Sequence, residues 1–301
     1  MLRRITRSLK DSVPSFIKDP INQWRNKTRW ANQYRAIITF YKNKESIEAD
    51  EKEVLDYLIE HPGLTIYPYK FVSSWDYKSV KVFLDEETAL RYVIHNGYKL
   101  FFRRSSSEEE IMGTYFGLVN EQRAESPHLY LTDDFQVNAG DVVADIGAAE
   151  GIFTLNCIEK VSKAYLFEPS TEWIEALEAT FKPWKEKIII VNKYVSDFIS
   201  DSVTSIDHYF SNKQLHFIKA DVEGAELSVL KGASSLLEKS SPIKLCICTY
   251  HNQDDFDNIS KFLSTFKKFK ISHSRGFMLF FIFNNLKPPY LRRGILRAIH
   301  E

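Results

Sequence analysis

The 301-residue sequence predicts an α/β fold, with a seven-stranded, mostly parallel sheet preceded by an α+β N-terminal region that contains a β-hairpin. Three observations predict it. From Asp141 onward, strand-like and helix-like segments alternate in regular order, as parallel strands joined by crossover helices require. Before that point Asn96-Gly97 separates two strand-like runs, the strongest short-range hairpin signal. A hydrophobic content of 44%, with 22 Phe and 15 Tyr, supplies side chains for a large core.

Residues 1–45 read as a basic N-terminal helical arm in which Pro14 and Pro20 break any long helix. Residues 46–137 form a small α+β accessory region. It opens with a helix over 46–61, with Ile47, Val54, Leu55, Leu58 and Ile59 on one stripe and Pro62-Gly63 as terminator. Val80, Val82 and Leu84 alternate as in a strand, and the hairpin follows over 91–102. Ser107 and Glu110 fit a capping box ahead of a helix that buries Ile111, Tyr115, Leu118 and Val119 and ends near Ser126-Pro127-His128. Residues 138–286 form the chemical domain. Its strands are expected at 142–146, 163–167, 187–191, 215–220, 244–250, 270–273 and 277–284, the last two as an antiparallel finish, with 287–301 as a C-terminal tail.

Lys plus Arg and Asp plus Glu balance at 40 each, so no global field draws the chain to nucleic acid. No stretch approaches the roughly 18 apolar residues of a membrane span. Arg3, Arg4, Arg7 and Lys10, with Leu2, Ile5 and Leu9 at helical spacing, suit a solvated arm or a weak contact with a membrane surface. A secretory signal is excluded for want of an apolar core. Cys157, Cys246 and Cys248 cannot all pair; they read as buried small hydrophobes, with Cys246 and Cys248 on one face of a strand. A reducing, cytoplasmic location follows.

The chemistry gathers at three strand ends. The first strand runs into Asp145-Ile146-Gly147-Ala148-Ala149-Glu150-Gly151, where Gly147 permits a tight turn and Gly151 a close approach to a ligand. The second closes on Phe167-Glu168-Pro169, where a carboxylate can accept both hydroxyls of a ribose. A dinucleotide loop would want glycine at Ala149, and Glu150 would repel a diphosphate, whereas a cationic sulfonium welcomes acidic neighbours. The third is Asp221-Val222-Glu223-Gly224-Ala225-Glu226. The helix macrodipole can explain its glutamates but not Asp221.

Together with Leu230-Lys231-Gly232-Ala233, these stretches resemble the FkbM-type methyltransferase family over residues 141–263. The resemblance implies a Rossmann-like class I methyltransferase fold, S-adenosyl-L-methionine as cofactor, and O-methylation of a hydroxyl on a sugar or small metabolite. It implies that Asp145, Gly147, Ala148, Glu150 and Gly151 shape the cofactor site, that Glu168 with Pro169 takes the ribose, and that Asp221 faces the reaction centre. Ser196 and Asp197 stand where the adenine edge is usually held.

Methyl transfer from a sulfonium is an in-line displacement, so positioning and exclusion of water dominate, and an alcohol acceptor also needs a base. The candidates are Asp221 and His251, with Glu223 secondary; the pKa of histidine suits the task near neutral pH. A divalent ion between Asp221, Glu223 and His251 is an alternative that no tight ligand spacing supports, so no metal is expected. His128 could line the site or merely follow a turn at Ser126-Pro127. Two other classes stay open, a nicotinamide-dependent oxidoreductase and a non-catalytic binding or scaffold protein.

Overall fold

The structure, a computed structural model, describes residues 20–74, 76–239, 242–281 and 286–300. The basic amphipathic stretch at 1–10 and Pro14 lie outside the described residues. Pro20 is the first residue of α1 (Pro20–Lys42), where its missing N–H costs nothing. Helix α2 (Ala49–Glu60) is closed by a capping box of Glu48 and Glu51, and its Val54, Leu55 and Leu58 pack with Ile37 and Tyr41 of α1. Ile59, expected on the same stripe, is exposed instead.

Strand β1 (Phe83–Leu84) pairs with β2 (Arg91–His95), which turns at Asn96 and Gly97 into β3 (Tyr98–Phe101). Both turn residues have positive φ, 51° and 86°, the demand that makes Asn-Gly so strong a hairpin signal. Helix α3 (Glu108–Glu121) begins at the expected box, the Ser107 hydroxyl accepting from the Glu110 N–H.

The second half is a doubly wound sheet. Its first three strands are β4 (Val142–Ile146), β5 (Lys163–Phe167) and β6 (Ile188–Val191), linked by α4 (Ile152–Cys157) and α5 (Thr171–Phe181). A small parallel ribbon, β7 (Tyr194–Val195) with β8 (Val203–Thr204), and α6 (Ile206–Tyr209) lead to β9 (Phe217–Ala220). Then come α7 (Glu226–Lys231), α8 (Ser234–Glu238), β10 (Ile243–Cys248), α9 (Asp255–Leu263), β11 (Phe269–His273) and β12 (Ile295–His300). The sheet order is β11-β12-β10-β9-β4-β5-β6, with β12 antiparallel to both its neighbours and the other pairs parallel.

Alternation along the strands decides which layer each face meets. Val143, Phe217, Cys246 and Cys248 face one core with α4, α5 and the N-terminal region. Ala144, Ile218, Leu245 and Ile247 face the other, under α6 to α9. All three cysteines are free and buried. Among the described residues, no helix is long and apolar enough to cross a membrane.

The antiparallel finish is present, but its last strand is misplaced in the reading of the sequence. Phe277 to Phe280 is buried as an irregular segment with a single bridge, Met278 to Arg292; a short apolar run marks burial, not strand. The seventh strand lies at Ile295–His300, inside the expected tail. Arg297 disguises it, and this side chain is buried by donating to the carbonyls of Leu129 and Tyr130.

After β6 the chain returns to the other side of β4 to enter β9. The carboxyl ends of β4 and β9 therefore flank the switch point where doubly wound sheets open a crevice.

Candidate active site

The loop after β4 is held from within. The Gly147 and Ala148 N–H groups donate to the Phe167 carbonyl at 3.0 and 3.2 Å, Ala149 N–H to Glu168 Oε2 at 2.9 Å, and Gly151 N–H to the Ala148 carbonyl at 2.8 Å. Gly147, Ala149 and Gly151 all have positive φ, 72°, 47° and 84°, so position 149 takes the conformation of a glycine while carrying alanine. The two glycines serve packing. A Cβ at Gly147 would meet the Asp221 carbonyl, and one at Gly151 would meet Phe181 and Leu177 of α5 at 2.7 and 2.8 Å. At Gly151 the missing Cβ thus lets α5 approach closely.

Asp145 is fully buried, accepting from the Thr154 hydroxyl at 2.8 Å and ion-paired to Lys219 at 3.0 Å. Lys219, on β9, also donates to the Gly147 carbonyl at 2.7 Å. Burial opposes its charge, but Asp145 and Asp221 outweigh burial and hold the ammonium above its usual range. Glu150 departs from expectation. It is buried, and burial pushes its carboxyl up to about 8, so at neutral pH it is mostly uncharged and gives a sulfonium little attraction.

Glu168 closes β5 with only 4% of its surface exposed. Its two oxygens each accept one backbone N–H, from Ala149 and from Ser170 at 2.8 Å, and burial raises its pKa. A carboxylate has about four lone-pair sites, so each oxygen keeps capacity for a hydroxyl donor. Asn192 donates to the carbonyls of Glu168 and Pro169, fixing the strand end. Ser196 and Asp197 directly follow β7, where the Ser196 hydroxyl bonds Asp197 at 3.2 Å and the Ser196 N–H donates to the Thr204 carbonyl.

Asp221 sits at the end of β9 amid donors. Tyr130 donates to Oδ2 at 2.9 Å and Tyr250 to Oδ1 at 3.2 Å; His128 Nε2 is 3.7 Å from Oδ2 and His251 Nε2 is 3.5 Å from Oδ1. Burial disfavours its charge, but His128, His251 and Lys219 together hold the carboxyl far below the usual carboxylate range. His128 thus lines the site, with Glu121 3.9 Å from its other nitrogen, and burial together with the nearby Glu121 and Asp221 carboxylates pushes up the pKa of the buried Tyr67 phenol. The accessory region thereby supplies Tyr67, Glu121, His128 and Tyr130 to one wall.

His251 is buried, with Nδ1 2.9 Å from Glu226 Oε1. Burial works against its imidazolium, yet Glu226, Asp221 and Glu223 raise its pKa. Glu223 itself is exposed, on a turn with φ 58°, so Glu226 takes the place expected of it beside Asp221 and His251. Arg292, also buried, donates to the carbonyls of Tyr250 and His251 at 2.8 Å each. Sequence reasoning missed Glu226, Arg292, Tyr130 and Tyr250. Glu226 stands in the acidic run itself and Tyr250 directly precedes His251, whereas Arg292 and Tyr130 reach the site from distant parts of the chain.

A doubly wound sheet with a glycine turn after its first strand and an acid at the end of its fourth defines a Rossmann-like α/β scaffold. Residues 182–279 match the family model described as the Methyltransferase FkbM domain, the family that the motifs resemble. The match takes in Asp221, Glu226 and His251 and begins after Glu168. No curated relative matches the sequence. Among solved structures, the methyltransferase FkbM from Methylobacillus flagellatus KT is similar, with 19% identity over 65% of this chain and a TM-score of 0.44. This chain spans 56% of its length. The M. jannaschii tRNA m1G37 methyltransferase is 16% identical over 70% of this chain and 54% of its own, with a TM-score of 0.39. A Streptococcus mutans protein in complex with SAH is 13% identical over 54% of this chain and 89% of its own, with a TM-score of 0.36. At these identities and scores the likenesses concern architecture and carry nothing about activity.

Proposed function

We propose that the protein is an S-adenosyl-L-methionine-dependent methyltransferase that O-methylates a hydroxyl of a sugar, glycan or small metabolite in the cytoplasm. One observation carries the reading. The Gly147 turn, the Glu168 carboxylate and the Asp221–His251 pair converge on the carboxyl edge of β4, β5 and β9. The donor set fits the cofactor better than it fits a dinucleotide. Four loop N–H groups are already spent inside the protein, leaving those donors unavailable to a diphosphate, while Glu168 keeps acceptor capacity for ribose hydroxyls.

In this reading, Asp145, Gly147, Ala148 and Gly151 give the cofactor wall its shape, Glu150 lines it as a neutral acid, Glu168 and Pro169 meet the ribose, and Ser196 and Asp197 the adenine edge. The bound cofactor supplies an electrophilic methyl group on sulfur. Asp221, held ionised by its donors, anchors the acceptor side. His251 Nε2 takes the acceptor's proton once the imidazolium has lost its own, and the buried aromatics Tyr130, Tyr250 and Phe280 keep water away. Glu223, exposed at the rim, contacts the acceptor.

Calorimetric titration of the folded protein with S-adenosylhomocysteine, followed by incubation of labelled S-adenosylmethionine with fractionated cell extract, tests the proposal. Single-site binding and label in a glycan or small-molecule fraction are expected. No heat on titration, or label confined to nucleic acid, overturns it.

A further inference from the structure

Glu226 opens a helix of six residues, where the macrodipole alone would ask for an exposed acid. Instead it is 1% exposed, and burying a carboxylate costs several kcal/mol unless it is paired. Its Oε1 accepts from the Val222 N–H at 2.9 Å and the Gly224 N–H at 3.4 Å, so it also ties down the turn that leaves Asp221. That turn presses on the chain just after His251, since a Cβ at Gly224 would lie 2.7 Å from Asn252 Nδ2. The Oε2 atom is buried with no hydrogen-bond partner among the described residues.

We infer that Glu226 is a positioning residue, which through its 2.9 Å ion pair with Nδ1 fixes the His251 ring so that Nε2 faces Asp221. The inference rests on the reading of His251 as proton acceptor. The rest of the ring is confined as well. Arg292 holds the carbonyls of Tyr250 and His251 from behind, and the Tyr250 and Phe280 rings stand 4.1 and 5.4 Å from the imidazole. At 3.5 Å from Asp221, Nε2 is beyond a short hydrogen bond.

The charged groups facing His251 are Asp221 from β9, Glu223 and Glu226 from the turn and α7, Asp255 from α9, and the Arg292 guanidinium. Carboxylates dominate this set, and Glu226 is the nearest of them. Glu226→Gln keeps an acceptor for the Val222 N–H and removes only the charge.

The test is an imidazole NMR titration of full-length wild type and Glu226→Gln, run beside their pH–rate profiles, with circular dichroism as the check on folding. The His251 midpoint is expected to fall by about one pH unit or more, and kcat to fall about 10- to 100-fold with little change in the KM for S-adenosylmethionine. An unchanged midpoint in folded Glu226→Gln overturns the inference. A lowered midpoint with wild-type turnover that does not follow His251 upholds Glu226 and overturns His251 as the base. Should Glu226→Gln fail to fold, Glu226→Asp keeps the charge but withdraws it from Nδ1. A lower midpoint and lower kcat are then expected, and wild-type values for both overturn the inference.

Discussion

Gly147 and Asp221 occupy one another's space: a methyl group on Gly147 would stand 2.0 Å from the Asp221 carbonyl oxygen. The Asp221 N–H in turn donates to the Ile146 carbonyl at 3.0 Å. The turn proposed to hold the cofactor and the acid proposed to face the acceptor are therefore one rigid junction. A change in either must be felt by the other.

Gly147→Ala should accordingly be severe. The residue has φ 72°, and the obstructing atom is backbone, which cannot rotate away. Left-handed strain alone costs about 1–3 kcal/mol, and the clash adds to it. Gly113, inside α3 with open space around its missing Cβ, is the contrast, and Gly113→Ala should stabilise by about 0.5–1 kcal/mol. Urea denaturation of both variants checks the pair, and equal effects would contradict the junction.

Lys219→Met should destabilise strongly, because it strands the fully buried Asp145 without its counter-ion. Breaking one side of a buried pair costs about 3–5 kcal/mol. In the double variant Asp145→Asn/Lys219→Met much of that loss should return, since no charge is left unpaired. A double-mutant cycle by chemical denaturation measures the coupling, and simple additivity would show that the pair is not the source of the cost.

Glu150 gives a prediction of opposite sign to the usual acid. Burial raises its folded pKa to about 8, above the roughly 4.3 of an unfolded glutamate. The native state therefore holds an extra proton between these values, and the protein loses stability as pH rises through the window. Glu150→Gln should match wild type near pH 4 and exceed it by an amount of order a few kcal/mol at pH 8. Thermal unfolding scans across that range check it; a pH-independent difference would mean that Glu150 is not titrating there.

How much of this was legible beforehand follows from the range of each signal. The first five parallel strands could be placed to within a few residues, because each is a short apolar run, mostly buried on both faces, bounded by local turn chemistry. The turn at Gly147 and the acids at Glu168 and Asp221 were visible for the same reason, as short motifs at strand ends. β12 was hidden by Arg297, whose burial is explained only by carbonyls of Leu129 and Tyr130 far earlier in the chain. Tyr130 reaches Asp221 across 91 positions and Arg292 reaches Tyr250 across 42, distances over which no periodicity carries information. The surroundings of Gly151 and Glu150 were hidden for a different reason. Both residues were seen, but whether a missing Cβ faces a ligand or a helix, and whether an acid is wet or dry, depend on packing.

Asp221 should respond both to acid and to substitution. Its folded pKa lies far below the roughly 3.9 of an unfolded aspartate, so its contribution to stability is complete above that value and is lost as pH falls below it. Asp221→Asn should remove this dependence, giving a shallower decline in melting temperature below about pH 4 than wild type. The same substitution should leave S-adenosylhomocysteine affinity within a few-fold and abolish methyl transfer, because the backbone junction with Gly147 is kept while the anion is removed. Tyr130→Phe separates the two effects. It deletes the 2.9 Å hydrogen bond but leaves the carboxylate paired with both histidines, so it should cost about 1.5–3 kcal/mol and only part of the activity. If Tyr130→Phe abolishes turnover as completely as Asp221→Asn while the protein stays folded, the hydroxyl, not the carboxylate, is the group that meets the acceptor.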